Sequence, residues 1–268
     1  MKTVPLLMTA AVSTRGMKGA CFQDREREKM YVDALTYYIH EVLPRHPGQA
    51  IVFAENSGWD LTSIQHQLPP YEAGRIEFVS LDPAEFDISR GKGYNEVLMI
   101  NEVVKRSRLI ENAGAFLKAT GRYPIYNIGY FLRQAARQLY ERGNDLYCDM
   151  KDHHLYDWLR LGWNGHSFEC RLFGAKTDWY LANMAPAYRQ CNDYDGHLME
   201  TVMFGVVKEA MARGDRVVTR FRREPHLGGL EGSEINAFIF SKSQDSLKGK
   251  CKRLVGNCIR TFTPWFKF

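Results

Sequence analysis

The sequence predicts an α/β fold in which a mostly parallel sheet is flanked by helices. Three observations lead to this prediction. Short apolar strands alternate with helical patterns, Pro and Gly separate these elements, and several strands end in polar, glycine-containing loops. The chain has 268 residues, of which 45% are hydrophobic, and this is enough for one large domain with a substantial core.

The first half reads as four strands connected by helices. Apolar runs predict the strands at 3–12, 50–54, 75–81 and 113–117. Helical spacing of apolar residues predicts the connecting helices at about 24–43, 61–68 and 94–108. In such an order the strands run parallel, so that their carboxyl ends meet at one edge of the sheet, where ligands bind in open α/β sheets.

The second half is less regular. Its predicted helices span about 125–142, 176–184 and 198–213, and its predicted strands span 167–173 and 217–221. There is no internal repeat and no run of 18 apolar residues, so no membrane-spanning helix is expected. The six cysteines lack zinc-site spacing and are typical of reduced thiols.

The segment 115–123 is the most informative part of the chain. An apolar strand stops there at a polar corner that contains Lys118, Thr120, Gly121 and Arg122. Two cations and a hydroxyl at a strand end suit an anion such as a diphosphate, although solvated side chains of an edge strand would give the same pattern. The loops at 9–14 and 55–58 are expected at the same edge, which favours a nucleotide or nucleotide-sugar site.

Other local motifs are weak. The chain has no Walker A motif and no glycine fingerprint after a strand. Gly91-Lys92-Gly93 at a helix start offers N–H groups to a phosphate but also fits a plain loop. Asp193 and Asp195 have the spacing of a Mg²⁺ pair, although an acidic residue before a helix is ordinarily an N-cap.

The last 23 residues concentrate the positive charge. From Ser246 onward there are six Lys or Arg and no acid, whereas the net charge of the whole chain is +5. The nearly neutral body argues against a nucleic-acid-binding protein. The apolar residues of the tail share one helical face, namely Leu247, Cys251, Leu254, Cys258 and Phe262. The pattern predicts a basic amphipathic helix on an anionic membrane surface, followed by Trp265, Phe266 and Phe268, with a helix docked on the body as the alternative.

Five segments together resemble the glycosyltransferases of bacterial capsule and O-antigen (lipopolysaccharide) loci, which have the GT-A fold. They are Glu55–Gly58, Gly91–Glu96, Lys118–Tyr123, Arg171–Ala175 and Asn192–Glu200. The resemblance covers roughly 3–240. The chain departs from the usual pattern because Lys118–Arg122 stands where that fold carries an Asp-x-Asp pair for a divalent metal.

The resemblance implies one GT-A-like (Rossmann-like) domain at 1–245, with a nucleotide-sugar-binding half at 1–125, an acceptor and catalytic half at 126–245, and the tail at 246–268. It implies sugar transfer from a nucleotide-sugar donor to a glycan or lipid-linked glycan, without a metal or other cofactor. The enzyme would lie in the cytoplasm, peripheral to the inner face of the cytoplasmic membrane. A non-catalytic glycan- or nucleotide-binding protein is the alternative, and an oxidoreductase is disfavoured because the glycine fingerprint is missing.

Specific residues follow from the same resemblance. The donor-binding residues would be Thr9, Ala10, Glu55, Asn56, Ser57, Gly58, Lys92, Glu96, Lys118, Thr120, Gly121 and Arg122. Thr9 and Ala10 would lie near the base, and Lys92 and Arg122 near the phosphates. Glu200 or Asp195 would be the general base of an inverting displacement, and Arg171 would orient the donor or that carboxylate.

Overall fold

The computed structural model describes residues 2–17, 22–153, 158, 165–231, 238–239 and 245–262. Its strands, in chain order, are β1 (Leu6–Ala10), β2 (Ile51–Glu55), β3 (Ile76–Ser80), β4 (Ala115–Thr120), β5 (Leu146–Tyr147), β6 (Met150–Asp152), β7 (His166–Phe168), β8 (Leu172–Lys176), β9 (Val217–Val218), β10 (Leu230–Glu231) and β11 (Phe238–Ile239). Its helices are α1 (Asp24–Glu41), α2 (Leu61–His66), α3 (Gly91–Arg106), α4 (Arg108–Ala113), α5 (Ile128–Ala136), α6 (Thr177–Asn183), α7 (Met199–Arg213) and α8 (Leu247–Phe262).

Seven of these strands form the central sheet, in the order β3-β2-β1-β4-β8-β5-β9. The first four are parallel to one another, and β8 runs antiparallel to both β4 and β5. The predicted α/β class with a mostly parallel sheet is therefore confirmed. Both predicted halves contribute strands to this one sheet, because β8, β5 and β9 come from the second half.

Helices cover both faces of the sheet, which explains why its inner strands are continuously apolar. Successive residues of β1 alternate between two buried clusters. Leu6 shares one cluster with Leu35 of α1 and Phe131 of α5. Leu7 belongs to the opposite cluster, together with Ile100 of α3.

The structure differs from the sequence prediction at 167–173. The alternating pattern there predicts one strand, but the structure has two, β7 and β8, which belong to different sheets. The turn between them is closed locally, since the amide of Arg171 donates to Oε1 of Glu169 at 3.1 Å and the two side chains form an ion pair. A hydrogen bond of this kind, between a side chain and the nearby backbone, competes with the backbone hydrogen bonds that would continue one strand through the segment.

Two further predictions concern helices. The helix predicted from about 125 begins only at Ile128, because Ile125 is held by a β-bridge to Leu227 and donates its amide to the hydroxyl of Tyr38. The predicted tail helix is present as α8, whereas Trp265, Phe266 and Phe268 lie outside the described residues. No described helix combines the length and the apolar character that crossing a membrane requires.

Candidate functional site

A cleft lies at the edge of the sheet where β1, β2 and β4 end. The loops after these strands touch each other. The amide of Gly121 donates to the carbonyl of Thr9 at 3.0 Å, and the amide of Asn56 donates to the carbonyl of Ala10 at 3.2 Å. The parallel order of the strands brings these loops together although they are far apart in the sequence.

Eight of the residues predicted to bind the donor line this cleft. They are Thr9, Ala10, Asn56, Ser57, Lys92, Glu96, Thr120 and Arg122. The remaining four, Glu55, Gly58, Lys118 and Gly121, lie beside or beneath the cleft and not in its lining. That these twelve residues bind a donor remains a prediction. The structure shows that eight of them line the cleft and that four do not.

Glu55 is buried and holds the rim of the cleft together. Its Oε1 accepts from the amides of Val12 at 3.1 Å and Ser57 at 2.9 Å, and its Oε2 accepts from the amide of Trp59 at 3.0 Å. Gly58 follows with a φ of 77°, a conformation that favours glycine. Because both carboxylate oxygens of Glu55 already accept hydrogen bonds, this residue fixes the loops that line the cleft.

Gly121 is required by the close approach of two strand ends. A Cβ atom added at this position would lie 2.8 Å from the carbonyl oxygen of Thr9 and 3.2 Å from the ring of Tyr31. The absence of a side chain therefore allows the loop after β4 to cross the end of β1. This close approach places Thr120 and Arg122 in the cleft lining.

Lys118 has a different position from the one that the sequence suggests. Its side chain is completely buried, and its Nζ lies 2.5 Å from Oε1 of Glu96. The ammonium also donates to Oγ1 of Thr120 at 3.1 Å and to the carbonyl of Cys170 at 2.6 Å. A buried charge requires such partners. The charge of Lys118 is thus compensated inside the protein. Its ion-pair partner Glu96 is the residue of the two that lines the cleft.

Arg122 and Asn95 leave two polar atoms unsatisfied at the cleft. Nη1 of Arg122 and Oδ1 of Asn95 are buried and have no hydrogen-bond partner among the described residues. Both residues line the cleft. Nδ2 of Asn95 donates to the carbonyls of Asp87 and Gly91 at 2.7 Å each, which sets the orientation of the amide and leaves Oδ1 as an acceptor. Since buried polar groups are nearly always paired, a ligand with both an acceptor and a donor fits this cleft.

Asn56 adds a third polar group. The residue is 6% exposed and lines the cleft. Its backbone amide bonds to Ala10, and the described residues offer no hydrogen-bond partner to its side chain. A carboxamide both donates and accepts, which is the pattern needed to recognise a nucleobase edge or a ribose hydroxyl.

The lining also contains residues that the sequence did not mark as donor-binding, among them Asn95, Arg15, Arg27 and Tyr31. The guanidinium of Arg27 donates through Nε to the carbonyls of Ala11 and Val12 at 2.9 Å. Arg15 donates to the carbonyls of Pro83 and Phe86 at 2.8 and 3.1 Å. A signal was present for Arg27, because it lies one helical turn before Tyr31 on the buried face of α1, where a charged residue is unusual.

The start of α3 is occupied by a carboxylate of the protein. The amides of Lys92 and Gly93 donate to Oδ2 of Asp193 at 2.6 and 3.2 Å. A Cβ atom at Gly91 would lie 2.6 Å from Cβ of Asp193, so glycine allows this approach. The N–H groups that the sequence offers to a phosphate are therefore already used, and Asp193 stabilises the positive end of the helix dipole.

The three residues predicted to be catalytic lie in the second half. Glu200 is exposed in the first turn of α7. Its pKa is raised, mainly because surrounding protein displaces part of its water, and also because Glu96, Asp193 and Glu169 are negative. Such a rise is common for functional carboxylates, although ion-pair networks also perturb pKa values.

Asp195 and Arg171 are held by other side chains. Asp195 is exposed, and its Oδ2 accepts from Nδ2 of Asn192 at 2.5 Å. Arg171 forms a two-point ion pair with Glu169, in which Nε lies 2.6 Å from Oε1. Burial raises the pKa of Glu169, but the charge and hydrogen bonds of Arg171 outweigh this effect and lower it. Arg171 therefore keeps Glu169 ionised.

The described residues contain no group of three or more His, Cys, Asp or Glu side chains that is arranged to hold a metal ion. At the end of β4, where a metal-binding pair is usual in the family that the sequence resembles, the side chains are Lys118 and Thr120. The nearest carboxylate at this position, Glu96, accepts hydrogen bonds from Thr9 and Lys118.

No protein-family model and no curated protein sequence matches the chain. Solved structures do resemble it. The bifunctional glycosyltransferase WbbM matches with a TM-score of 0.46 and 11% identity over 81% of this chain and 38% of WbbM. The mannosyltransferase PcManGT from Pyrobaculum calidifontis matches with a TM-score of 0.43 and 12% identity over 82% of this chain and 55% of PcManGT.

Mouse xyloside xylosyltransferase 1 is also similar, with a TM-score of 0.43 and 9% identity over 81% of this chain and 84% of the mouse chain. All three of these proteins are glycosyltransferases that resemble the chain in structure at low sequence identity. At these TM-scores and identities, the similarity does not identify a reaction.

Proposed function

We propose that this protein is a glycosyltransferase that moves a sugar from a nucleotide-sugar donor to a glycan. The observation that carries the proposal is the cleft at the strand ends, with the unsatisfied donor of Arg122 and the unsatisfied acceptor of Asn95. A nucleotide sugar has both complementary parts, because its diphosphate accepts hydrogen bonds and its sugar and ribose hydroxyls donate them.

The charge of the cleft supports an anionic ligand. Among the described lining residues, Arg15, Arg27, Lys92 and Arg122 are cationic and Glu96 is the only acid. Glu96 is itself neutralised by Lys118. We place the diphosphate at Arg122, while Asn56, Thr9 and Ala10 lie where the base or ribose would bind. A planar guanidinium with a free N–H suits a phosphate well.

The proposed transfer is an inverting displacement. Glu200 accepts the proton of an acceptor hydroxyl, and the acceptor oxygen forms a bond to the anomeric carbon as the bond from that carbon to the diphosphate breaks. The leaving nucleoside diphosphate takes the bonding electron pair, and Arg122 stabilises its new charge. Asp195 is the second candidate for the base, and Arg171 contributes indirectly by holding Glu169.

The acceptor and the cellular location are further parts of the proposal. The sequence resemblance to enzymes of capsule and O-antigen synthesis suggests a lipid-linked glycan as acceptor. Such an acceptor would place the enzyme in the cytoplasm, at the inner face of the membrane. The basic tail is consistent with this location.

Donor binding tests the proposal through Arg122. Nucleoside diphosphates and nucleotide sugars are screened by thermal shift, since a ligand that binds the folded state raises the unfolding temperature. For the best ligand, Arg122→Ala is expected to weaken binding by about 1.5–3 kcal/mol, because a hydrogen bond to a charged group is lost. Calorimetric titration measures this change.

The matched control is Arg45→Ala, because Arg45 is exposed and pairs with Glu41 on the surface. It is expected to leave affinity unchanged. Failure of every nucleotide to stabilise the protein would contradict a donor site. Equal affinity of the two folded variants would remove Arg122 from the site.

Metal independence is a separate prediction. Because Lys118 and Thr120 stand where the related fold carries metal ligands, we expect sugar transfer or donor hydrolysis to persist in excess EDTA. Activity is measured by nucleotide release, with and without added Mn²⁺ or Mg²⁺. Loss of activity in EDTA that either metal restores would contradict the prediction and direct attention to Asp193 and Asp195.

One observation favours a second candidate function. The ammonium of Lys118 is buried against Glu96 and is not offered to the diphosphate, so the leaving group receives less stabilisation than the sequence suggests. A nucleotide-binding protein without turnover is consistent with such a site. Nucleotide binding with no release of product from any donor, in the presence of a range of glycan acceptors, would support this second function.

A further inference from the structure

Helix α8 presents its apolar side to solvent. Leu247, Leu254 and Phe262 are 81%, 66% and 76% exposed. With Cys251, Val255 and Cys258, which are also exposed, they form what we call the α8 stripe. Helices of soluble domains normally turn their apolar side towards the core. The orientation of α8 is the reverse, and contiguous exposed apolar surface commonly marks an interaction site.

The opposite, polar side of α8 docks on the body. Nη1 of Arg260 lies 2.7 Å from Oδ2 of the buried Asp149 and donates to the carbonyl of Phe221 at 3.2 Å. Oδ1 of Asn257 accepts from the amide of Glu224 at 2.8 Å. At about 100° per residue, Arg260 lies opposite the middle of the stripe, and Asn257 lies on the flank of the helix about 110° from that middle. These contacts fix the rotation of the helix, so the outward direction of the stripe follows from specific docking.

The charges beside the stripe indicate the nature of the partner. Lys248, Lys250 and Lys252 are exposed, and α8 contains no acidic residue. An apolar strip bordered by lysines matches the interface of an anionic bilayer, in which acyl chains lie beneath negative headgroups. A protein partner would need an apolar groove with an acidic rim, whereas the membrane supplies both features over the full length of the helix.

We propose that the exposed side of α8 binds an anionic membrane surface, with the helix lying parallel to the bilayer. The stripe would enter the boundary between headgroups and acyl chains, and the three lysines would contact the headgroups. Arg260 remains on Asp149, so the body is held at the surface in a defined orientation and not on a flexible tether. This assignment does not depend on the function proposed for the cleft.

Vesicle co-sedimentation of the full chain tests the proposal. The probes are vesicles of phosphatidylcholine alone and of phosphatidylcholine with phosphatidylglycerol in a two-to-one ratio. We expect binding to the anionic vesicles and its release by salt, because salt screens the lysines. Replacing Lys248, Lys250 and Lys252 by Gln is expected to lower partitioning on the order of 100-fold, from the contribution of each cation near such a surface.

A stripe variant separates the apolar contribution from the charge. Leu254→Ser with Phe262→Ser keeps every cation and is expected to reduce binding by about tenfold or more. Met211→Ser is the matched control, because Met211 is an exposed apolar residue of α7 and should leave binding unchanged. Circular dichroism verifies that each variant is folded.

Cys258 of the stripe provides a second, residue-specific measurement. Anionic vesicles are expected to slow its modification by a water-soluble thiol reagent, as measured by mass spectrometry of the peptide, and neutral vesicles are not. Unchanged binding of the folded stripe variant, or an unchanged modification rate in bound protein, would overturn the proposal. Concentration-dependent dimers that the stripe variant abolishes, without vesicle binding, would assign the stripe to a second copy of the chain.

Discussion

Replacing Glu200 by Gln is expected to lower the rate of sugar transfer by about 10²–10⁴-fold, while donor affinity is kept, because glutamine preserves the shape but cannot accept a proton. Single-turnover kinetics with the donor identified by the binding screen measure this change. Glu209→Gln is the matched control, since Glu209 is an exposed residue of the same helix and is expected to have no effect.

The pH dependence gives a second measurement of the same role. The pKa of Glu200 is raised, and a general base works only when it is deprotonated. The rate should therefore rise with pH through a value above the usual glutamate range, and this rise should disappear in Glu200→Gln. Asp195→Asn is compared in the same way. Normal turnover in both variants would show that the base lies elsewhere or that the mechanism is retaining.

Replacing Lys118 by Met is expected to destabilise the fold by about 3 kcal/mol, the lower end of the range for breaking a buried ion pair. The half-buried partner Glu96 would be left with the hydroxyl of Thr9 as its hydrogen-bond donor among the described residues. We take the lower end because the side chain of Glu96 is 25% exposed, so water replaces part of the lost interaction. Urea denaturation measures the free energy of unfolding.

A double variant tests whether the pair is the cause. Lys118→Met with Glu96→Gln removes both charges and should recover much of the lost stability, since replacing a buried ion pair as a whole is often neutral. Lys29→Met is the surface control, because Lys29 and Asp33 are 74% and 60% exposed and such pairs contribute little. A double variant as unstable as the single one would show that packing of the Lys118 side chain matters more than its charge.

The sequence by itself determined the class of the fold and the position of the cleft. Apolar strands such as 50–54 are followed by polar loops, and this local pattern is sufficient to predict a parallel sheet with a ligand edge. Asn56 and Arg122 were predicted at this edge because they follow strands, and both line the cleft. The basic amphipathic helix of the tail could also be predicted from the sequence, because this prediction requires only apolar residues at helical spacing.

Only the tertiary structure decided how the charges are partnered. Lys118 and Arg122 are four residues apart and look equivalent in the sequence, but one is buried against Glu96 and the other keeps an unsatisfied N–H at the cleft. Asp193 reaches the start of α3 from about 100 residues away. Likewise, the sequence gives α8 an apolar side, but the contact of Arg260 with Asp149 turns that side outward. The spacing of residues along the chain determines which side chains share one side of a helix or strand. Which distant residue pairs with a buried charge is decided by the tertiary structure, because burying a charge without a partner is costly.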